Sequence, residues 1–465
     1  MKNRISRRNF LKAAGVLTAA AGLSACGSAS SAQSTAASQA ASTASSAASA
    51  AGEPVKISFM GWGTDDEIAA YKAMIAQFEK AYPTVTVDYI VVADNEFDTK
   101  LQTMIGAGEC PDVFYCSIDK MMKYAATGNL YDLSDYVANN AIFDPDNVWT
   151  CLNDLYRFDG ANQGKGDIYA LPKDVSVFPI FYNVDLFKAA GITAPTGDAP
   201  WDWNDFLDAA KKLTSGTGDS KVYGTGAYSL ESAVWSNGAE WVDAETLSKV
   251  EITDPAFTQA LQWCADLHLV HGVAPSPDES TALSDYDRFK QGKLGMVGAG
   301  TWSLGDFTQN CKFEWDVMNW PVSPNTKKSE IWFGSAGLAV SATTKAAEAA
   351  CNLAAYLAFN EDSQRTAYQM GQAIPMLKDM AYGEYSDSTN PPASKKVLFD
   401  ILENNARLAT QSRTFNQEWF AEFNSNTASV FDGEMTAVDY CASIKDTVQQ
   451  LLDESIEQKA EYTGK

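Results

Sequence analysis

Two turns in the first third of the chain hold residues of the types that contact ligands. Trp62 and Thr64 follow an apolar run in the turn Gly61–Thr64, and Tyr115 and Asp119 lie at the end of a second apolar run. A Trp between two glycines offers a flat apolar face that core packing rarely needs at a strand end. A carboxylate nearby accepts hydrogen bonds. These residues predict non-covalent recognition of a ligand with both apolar and polar surfaces.

The residue types that covalent chemistry needs are scarce. His268 and His271 are the only histidines, and their H-x-x-H spacing lacks a third metal ligand. The sequence contains no nucleophile elbow, no phosphate-binding loop and no dinucleotide fingerprint. A formal net charge of −24 excludes the basic footprint of a nucleic-acid binder. We therefore expect no enzymatic activity, no cofactor, no metal site and no nucleic-acid partner.

The elements that must position these turns alternate between strand and helix. Residues 55–60, 84–92 and 112–117 have strand composition, and residues 65–81 and 95–107 have helical spacing of their apolar residues. A β-α-β-α-β order indicates a mainly parallel sheet with helices on its faces. In such sheets ligands bind beyond the carboxyl ends of the strands, which is where both turns lie.

Later segments continue this alternation. Residues 168–192 predict an irregular extended crossing followed by a helix, because two prolines interrupt the run. Helices are predicted at 200–214 and 254–270, and a strand followed by a helix at 335–359. Residues 394–455 look mostly helical. The whole is an α/β chain long enough for two or three domains.

The first 52 residues carry export and anchoring signals. Residues 1–25 combine a basic start with a short apolar stretch, and S-R-R-N-F-L-K at 6–12 resembles a twin-arginine signal. Leu-Ser-Ala before Cys26 resembles a lipobox, so Cys26 is the predicted lipidation site. Residues 26–52 form a predicted flexible linker of small and polar residues. We expect a protein held by lipid on the outer face of a bacterial cell membrane, with the general secretory route as the alternative export path.

Seven further cysteines do not form a recognisable framework. Their number is odd and their spacings match no zinc motif. Cys110 and Cys116 flank one predicted strand and could form a disulfide, whereas most of the seven are expected to be small buried apolar residues.

The order of several short motifs resembles the sugar-binding family of extracellular solute-binding proteins that serve ABC importers, the family of maltose-binding protein. The resemblance covers residues 55–455. Its motifs are P-D-V-F-Y (111–115), I-Y-A-L-P (168–172), F-Y-N-V-D-L-F-K-A-A-G-I (181–192), W-D-W-N-D-F-L-D-A-A-K-K-L-T (201–214), F-K-Q-G-K-L-G-M (289–296), G-T-W (300–302) and G-S-A-G-L-A-V (334–340). The resemblance implies a type II periplasmic-binding-protein-like fold of two α/β lobes, each a mainly parallel sheet flanked by helices.

The same resemblance implies the domain plan and the partners. The first lobe would comprise residues 53–172 with 325–375, and the second residues 173–324 with 376–465. A ligand cleft between them would close by hinge motion on a carbohydrate, and the closed monomer would deliver it to the transmembrane permease. The alternatives are a binding protein for another solute, such as a polyamine, and a surface glycosidase.

Ligand contacts follow from the resemblance for several residues. Trp302 and Trp419 fall at positions where the family places stacking aromatics, and Asp119 falls where maltose-binding protein has a sugar-binding Asp. Ser176 and Cys116 depart from that protein, which has a carboxylate and a Trp there. Trp235 is a further aromatic candidate. The complete predicted set is Trp62, Thr64, Tyr115, Asp119, Ser176, Trp235, Trp302 and Trp419.

Overall fold

The computed structural model describes residues 53–142 and 144–464. The predicted export signal, Cys26 and the linker lie outside these residues. The strands are β1 Val55–Gly61, β2 Val85–Val91, β3 Val113–Ser117, β4 Arg157–Phe158, β5 Asp167–Ile168, β6 Ala170–Pro172, β7 Ser176–Val177, β8 Ile180–Asn183, β9 Tyr223–Thr225, β10 Leu294–Gly298, β11 Trp315–Met318, β12 Ile331–Gly334, β13 Ala336–Val340 and β14 Ala406–Leu408.

The helices lie between and around these strands. They are α1 Asp65–Ala81, α2 Asp94–Ala107, α3 Ile118–Ala126, α4 Ser134–Asn140, α5 Val184–Ala189, α6 Trp203–Leu213, α7 Leu230–Ser236, α8 Pro255–Leu269, α9 Pro277–Ala282, α10 Asp285–Lys290, α11 Leu304–Asn310, α12 Ala347–Phe359, α13 Glu361–Gln369, α14 Lys378–Met380, α15 Lys395–Asp400, α16 Glu418–Asn426, α17 Ala428–Phe431 and α18 Ala437–Thr463. Single helical turns add Thr150–Leu152, Gly218–Ser220, Thr301–Ser303, Ala381–Tyr385, Ile401–Asn405 and Thr410–Arg413.

Local sequence signals explain where the long helices begin. Thr64 caps α1, and the first turn of that helix carries three acidic residues, whose negative charges interact favourably with the positive end of the helix dipole. Asp202 and Asp205 form a capping box at the start of α6. The buried face of α1 includes Tyr71 and Phe78, at the helical spacing expected for a core-facing stripe.

The first sheet has the order β2-β1-β3-β13-β6. Strand β1 runs parallel to β2 and β3, and β13 runs antiparallel to β3 and β6. Four strands therefore share one direction, and β13 alone is reversed. The carboxyl ends of β1, β2 and β3 meet at one edge of this sheet.

The second sheet has the order β11-β8-β10-β9, and β8 is its one reversed strand. In each sheet the reversed strand is the one that arrives directly from the other sheet along the chain. The chain leaves the first sheet after Pro172 and enters the second at Ile180; it leaves the second after Met318 and re-enters the first at Ala336. The predicted architecture of two mainly parallel α/β lobes is confirmed.

A third, small sheet lies on both passages between the two large sheets. Its order is β14-β12-β7, with β12 antiparallel to β7 and parallel to β14. Strand β14 falls within residues 394–455, which the sequence predicted to be mostly helical. This strand has only three residues, and its pairing with β12 comes from a distant part of the chain, so no local pattern announces it. The predicted lobe limits, at 172 and 325 and at 375, remain a prediction.

Seven thiols lie within the described ranges, and all are unpaired. Four of them, including Cys116, are buried, as expected for small apolar residues. Among the described residues, no helix combines the length and the apolar composition needed to cross a bilayer.

Candidate ligand-binding cleft

An open cleft with about 1540 Å³ of empty space lies where the three sheets meet. Turns after β1, β2 and β3 form one wall. The turn after β10 and the strand β12 form the facing wall, and the first passage between the sheets forms the floor. The cleft is therefore built at the carboxyl ends of the parallel strands, as the sequence predicted.

Trp62 is the aromatic residue of the first wall. It is half-buried, and its ring meets Phe97 edge-on at 4.5 Å and Tyr115 edge-on at 4.9 Å. A β-carbon at Gly61 would lie 3.0 Å from the Tyr115 ring, so this glycine allows the close packing. Tyr115 itself is fully buried beneath Trp62. Tyr115 thus supports Trp62 and does not line the cleft, which corrects its predicted ligand contact.

Thr64 lines the cleft and also begins a helix. Its Oγ1 accepts a hydrogen bond of 3.2 Å from the backbone N–H of Glu67. The turn packs closely on Glu67, because a β-carbon at Gly63 would lie 2.6 Å from Glu67 Oε2. Thr64 therefore has a structural role in addition to its place at the cleft.

Asp119 lines the same wall from the first turn of α3. Its Oδ2 accepts a hydrogen bond of 2.7 Å from Lys120 Nζ, and 17% of its side chain remains exposed. A carboxylate at the start of a helix is stabilised by the helix dipole. Asp119 is thus held as an acceptor that faces the cleft.

Lys173 joins the floor to the first wall. Its Nζ lies 2.7 Å from Glu67 Oε1 and 2.5 Å from Asp174 Oδ2, and only 7% of its side chain is exposed. The second oxygen of Asp174, Oδ1, accepts a bond of 3.3 Å from the N–H of Ala336. Burial alone would lower the pKa of Lys173, but the carboxylates of Asp174 and Glu67 outweigh it and raise that pKa above its ordinary value.

The facing wall presents two indole rings. Trp302 follows β10, and 41% of its surface is exposed. Its ring meets that of Trp332 edge-to-face, with centroids 5.9 Å apart at 83°, and Phe178 lies behind at 6.3 Å. A β-carbon at Gly300 would come within 2.0 Å of the Trp302 ring, so the indole folds over this glycine. Both Trp302 and Trp332 line the cleft.

Ser176 also lines the cleft, from β7 in the third, small sheet of β14, β12 and β7, here called the crossing sheet. Its backbone pairs with Gly334 of β12, and the residue is largely buried. The structure thus brings Trp62, Thr64, Asp119, Ser176 and Trp302 together in one cleft.

Trp235 and Trp419 lie elsewhere, which corrects their predicted ligand contacts. Trp235 is 1% exposed and packs edge-on against Trp241 at 6.0 Å. Trp419 is fully buried, and its Nε1 donates to Thr414 Oγ1 at 3.1 Å. Their apolar surface is already covered by the core of the second lobe, so neither ring is available to a ligand.

Sequence reasoning missed several lining residues. They are Glu67, Lys173, Asp174, Trp332 and Gln372. Lys173 and Asp174 directly follow the motif I-Y-A-L-P, and Trp332 stands two residues before G-S-A-G. These adjacent motifs could have drawn attention to the charged pair and to the second indole.

Comparison with known proteins identifies the family. Residues 62–364 match the family model described as bacterial extracellular solute-binding protein. The chain belongs to this family. Residues 4–24 match the model of a twin-arginine translocation signal, so this solute-binding protein is exported.

The described part of the solute-binding protein contains no group of three or more His, Cys, Asp or Glu side chains that could hold a metal ion.

Relatives of the solute-binding protein include a lipoprotein and sugar-binding proteins. An ABC substrate-binding protein of Listeria monocytogenes, solved in complex with cycloalternan, superimposes with a TM-score of 0.73 and 26% identity. That match covers 89% of this chain and 100% of the other. The galactooligosaccharide-binding protein of Bacillus subtilis is 22% identical over 434 residues, which is 87% of this chain and 90% of that protein.

A third relative shares a shorter segment. An uncharacterised lipoprotein encoded upstream of oleD in Streptomyces antibioticus is 30% identical over 167 residues. The chain spans 35% of that lipoprotein's length, and the match covers 35% of this chain.

Proposed function

We propose that this solute-binding protein captures a carbohydrate outside the cell and delivers it to the permease of an ABC importer. The observation that carries the proposal is the composition of the cleft. Indole rings line both walls, Trp62 on one and Trp302 and Trp332 on the other, and carboxylates line the first wall and the floor. Sugar rings expose apolar C–H faces and hydroxyl edges, and these match flat aromatic faces and carboxylate acceptors.

Transport requires the two lobes to close on the ligand. The small sheet of β7, β12 and β14 carries the passages between the lobes, so rotation there would change the width of the cleft. A ligand that contacts both walls stabilises the closed form by its differential affinity for that form. The permease would then recognise the closed protein. We propose that the protein acts as a monomer and performs no covalent chemistry.

Attachment to the membrane is assigned to lipid on Cys26. Two acyl chains suffice for stable attachment, since each buried CH₂ contributes about 0.8 kcal/mol. A Cys26→Ser variant should leave the membrane fraction and appear in the medium or the periplasm, whereas Cys110→Ser should remain with the membrane. Fractionation followed by immunoblotting measures this, and a Cys26→Ser protein that stays on the membrane would contradict the anchor.

Calorimetric titration of the mature chain, residues 26–465 with Cys26→Ser, tests the binding function. The titrants are mono- and oligosaccharides, with polyamines and amino acids as controls. One class of sugar should bind with a Kd in the micromolar range or below, which corresponds to about −8 kcal/mol. Binding to a polyamine, with no binding of any sugar, would contradict the proposal.

Chromatography of each sugar after incubation with the protein tests for a glycosidase. Each sugar should be unchanged, and cleavage products would indicate a glycosidase instead.

A further inference from the structure

The charged side chains that line the cleft are unbalanced. Four carboxylates, those of Glu67, Asp94, Asp119 and Asp174, stand against a single ammonium, that of Lys173. The formal net charge of the lining is therefore −3. No arginine is among the described residues that line this cleft.

The one ammonium of the lining, that of Lys173, is already paired with two carboxylates. Lys173 Nζ bonds to Glu67 Oε1 at 2.7 Å and to Asp174 Oδ2 at 2.5 Å, and it stands over the rings of Tyr115 at 4.9 Å and Tyr71 at 5.4 Å. With 7% of its side chain exposed, it cannot turn toward a ligand without leaving two carboxylates unpaired. A ligand therefore meets the carboxylates and not the ammonium.

A second ammonium, that of Lys120, is paired with a carboxylate of the lining. Lys120 Nζ bonds to Asp119 Oδ2 at 2.7 Å from outside the lining of the cleft. Burial by itself would lower the pKa of Lys120, but the hydrogen bond to Asp119 and the negative charges of Asp119 and Asp98 together outweigh burial and raise that pKa. Asp94 is exposed at the start of α2, and no ion-pair partner for it occurs within the described ranges. Asp94 thus adds an uncompensated negative charge to the cleft.

We propose that the cleft selects its ligand by charge: it takes saccharides that are uncharged or carry an amino group, and it rejects saccharides that carry a carboxylate, sulfate or phosphate. The inference rests on the proposed function and narrows its substrate class. Hydroxyl and ammonium groups donate hydrogen bonds to carboxylates, and charge-assisted bonds of this kind are short and strong. An anionic substituent finds no free donor with positive charge and meets like charge, which is a means of rejecting the wrong ligand.

Matched trisaccharides test the inference on the mature chain with Cys26→Ser. The probes are α-1,4-, β-1,4- and β-1,3-linked trisaccharides of glucose, galactose and mannose, each as the neutral sugar, the 2-amino-2-deoxy sugar, the C6-oxidised triuronate and the triuronamide. Titrations run at low ionic strength, where screening does not hide the charge effect. A neutral or amino sugar should bind, and its triuronate should bind about 100-fold more weakly or not at all. The triuronamide has the shape of the triuronate without its charge and should bind within about tenfold of the neutral parent.

A variant of the lining separates charge from shape. Asp94→Asn should narrow the gap between neutral sugar and triuronate by about fivefold, because it removes one unpaired negative charge from the lining. Asp208→Asn removes an exposed carboxylate of α6 that does not line the cleft, and it should leave the gap unchanged.

Each remaining outcome counts against one proposal or both. A triuronate that binds as tightly as its neutral parent overturns the selection by charge and leaves the carbohydrate-binding function standing. Rejection of the triuronamide together with the triuronate also overturns it, because shape would then be the cause. Silence from every probe and from the mono- and oligosaccharides titrated for the proposed function overturns that function and the charge selection with it.

Discussion

The indoles of Trp302 and Trp332 meet edge-to-face on one wall of the cleft, yet the sequence predicted only Trp302 as a ligand contact. Trp302 belongs to the motif G-T-W, whereas Trp332 lies in a strand that reads as an ordinary apolar segment. Only the crossing sheet shows that this strand runs along the cleft. At the scale of single residues, the surroundings of a side chain therefore decide its role.

Replacement of the second indole gives the first prediction. Trp332→Ala should weaken sugar binding by about tenfold, because a stacked aromatic contributes on the order of 0.5–1.5 kcal/mol beyond the area it buries. The matched control is Tyr462→Ala, which removes an aromatic residue that is 47% exposed on α18 and outside the cleft. Equal affinities of the two variants in calorimetric titration would contradict a binding role for Trp332.

The buried ammonium gives a prediction about stability. Lys173→Met should lower the free energy of unfolding by about 3 kcal/mol, because it leaves the partly buried carboxylates of Glu67 and Asp174 without their partner. Urea denaturation measures this. Lys188→Met breaks a bond of similar length, 2.6 Å to Glu314, between side chains that are 65% and 64% exposed, and it should change stability little.

A further variant tests the cause of that loss. Adding Glu67→Gln and Asp174→Asn to Lys173→Met removes the two unpaired charges and should recover part of the lost stability. If the triple variant is as unstable as the single one, then lost packing and not unpaired charge explains the effect.

At the scale of elements, the turns after β1 and β10 both depend on glycines that let a ring lie close to the backbone. Gly61 accommodates Tyr115, and Gly300 accommodates Trp302. The composition of the preceding strands predicts where these turns lie. The placement of a ring over each glycine, however, results from tertiary packing. The local sequence thus predicts where the turn lies along the chain, whereas tertiary packing determines how the aromatic ring is oriented.

The glycine beneath Trp302 gives the third prediction. Gly300→Ala would place a β-carbon within 2.0 Å of the Trp302 ring, so the indole must leave its present position. We expect sugar binding to weaken by about tenfold or more, in the range expected for Trp302→Ala itself. Titration and near-ultraviolet circular dichroism measure the two effects.

Gly106→Ala is the matched control for that change. The added β-carbon at this position in α2 meets nothing within 4 Å. The substitution should leave sugar binding unchanged and raise stability by up to about 1 kcal/mol, because Ala favours helix more than Gly does. Unaltered binding by both glycine variants would show that the position of Trp302 does not matter to the ligand.

At the scale of the whole molecule, the two lobes touch beside the cleft. Gln309 Nε2 of α11 donates to Asp66 Oδ2 of α1 at 2.9 Å. Nearby, a β-carbon at Gly371 would lie 2.9 Å from Gly305 Cα, so the backbones of α11 and of the turn after α13 approach closely. Such contacts between lobes stabilise the conformation in which they form.

Loss of this contact should open the unliganded protein. Gln309→Ala removes the hydrogen bond, and small-angle scattering should show a larger radius of gyration without ligand. Sugar affinity should fall about threefold, since a net hydrogen bond contributes about 0.5–1.5 kcal/mol to the conformation that makes it. Gln450→Ala removes a bond of 2.9 Å within α18 and should change neither quantity. Identical scattering of both variants would show that the hydrogen bond between Gln309 and Asp66 does not hold the two lobes together.

Much of this architecture is readable from sequence because its signals are local. The five elements from Val55 to Ser117 were predicted within about two residues, since strand composition and helical spacing are properties of short segments. The motif order indicated the two-lobe fold and the family, and the twin-arginine motif indicated export. The sequence alone also placed Trp62, Thr64, Asp119, Ser176 and Trp302 among the candidates that line the cleft.

Only the tertiary structure decided which aromatic rings remain uncovered and which charges meet. Trp235, Trp419 and Trp302 all read as candidate stacking residues, but distant elements bury the first two and leave the third exposed. The ion pair of Lys173 with Glu67 joins residues 106 positions apart, so no local pattern contains it. Burial and charge pairing depend on contacts between remote segments, and these contacts exist only after the chain has folded.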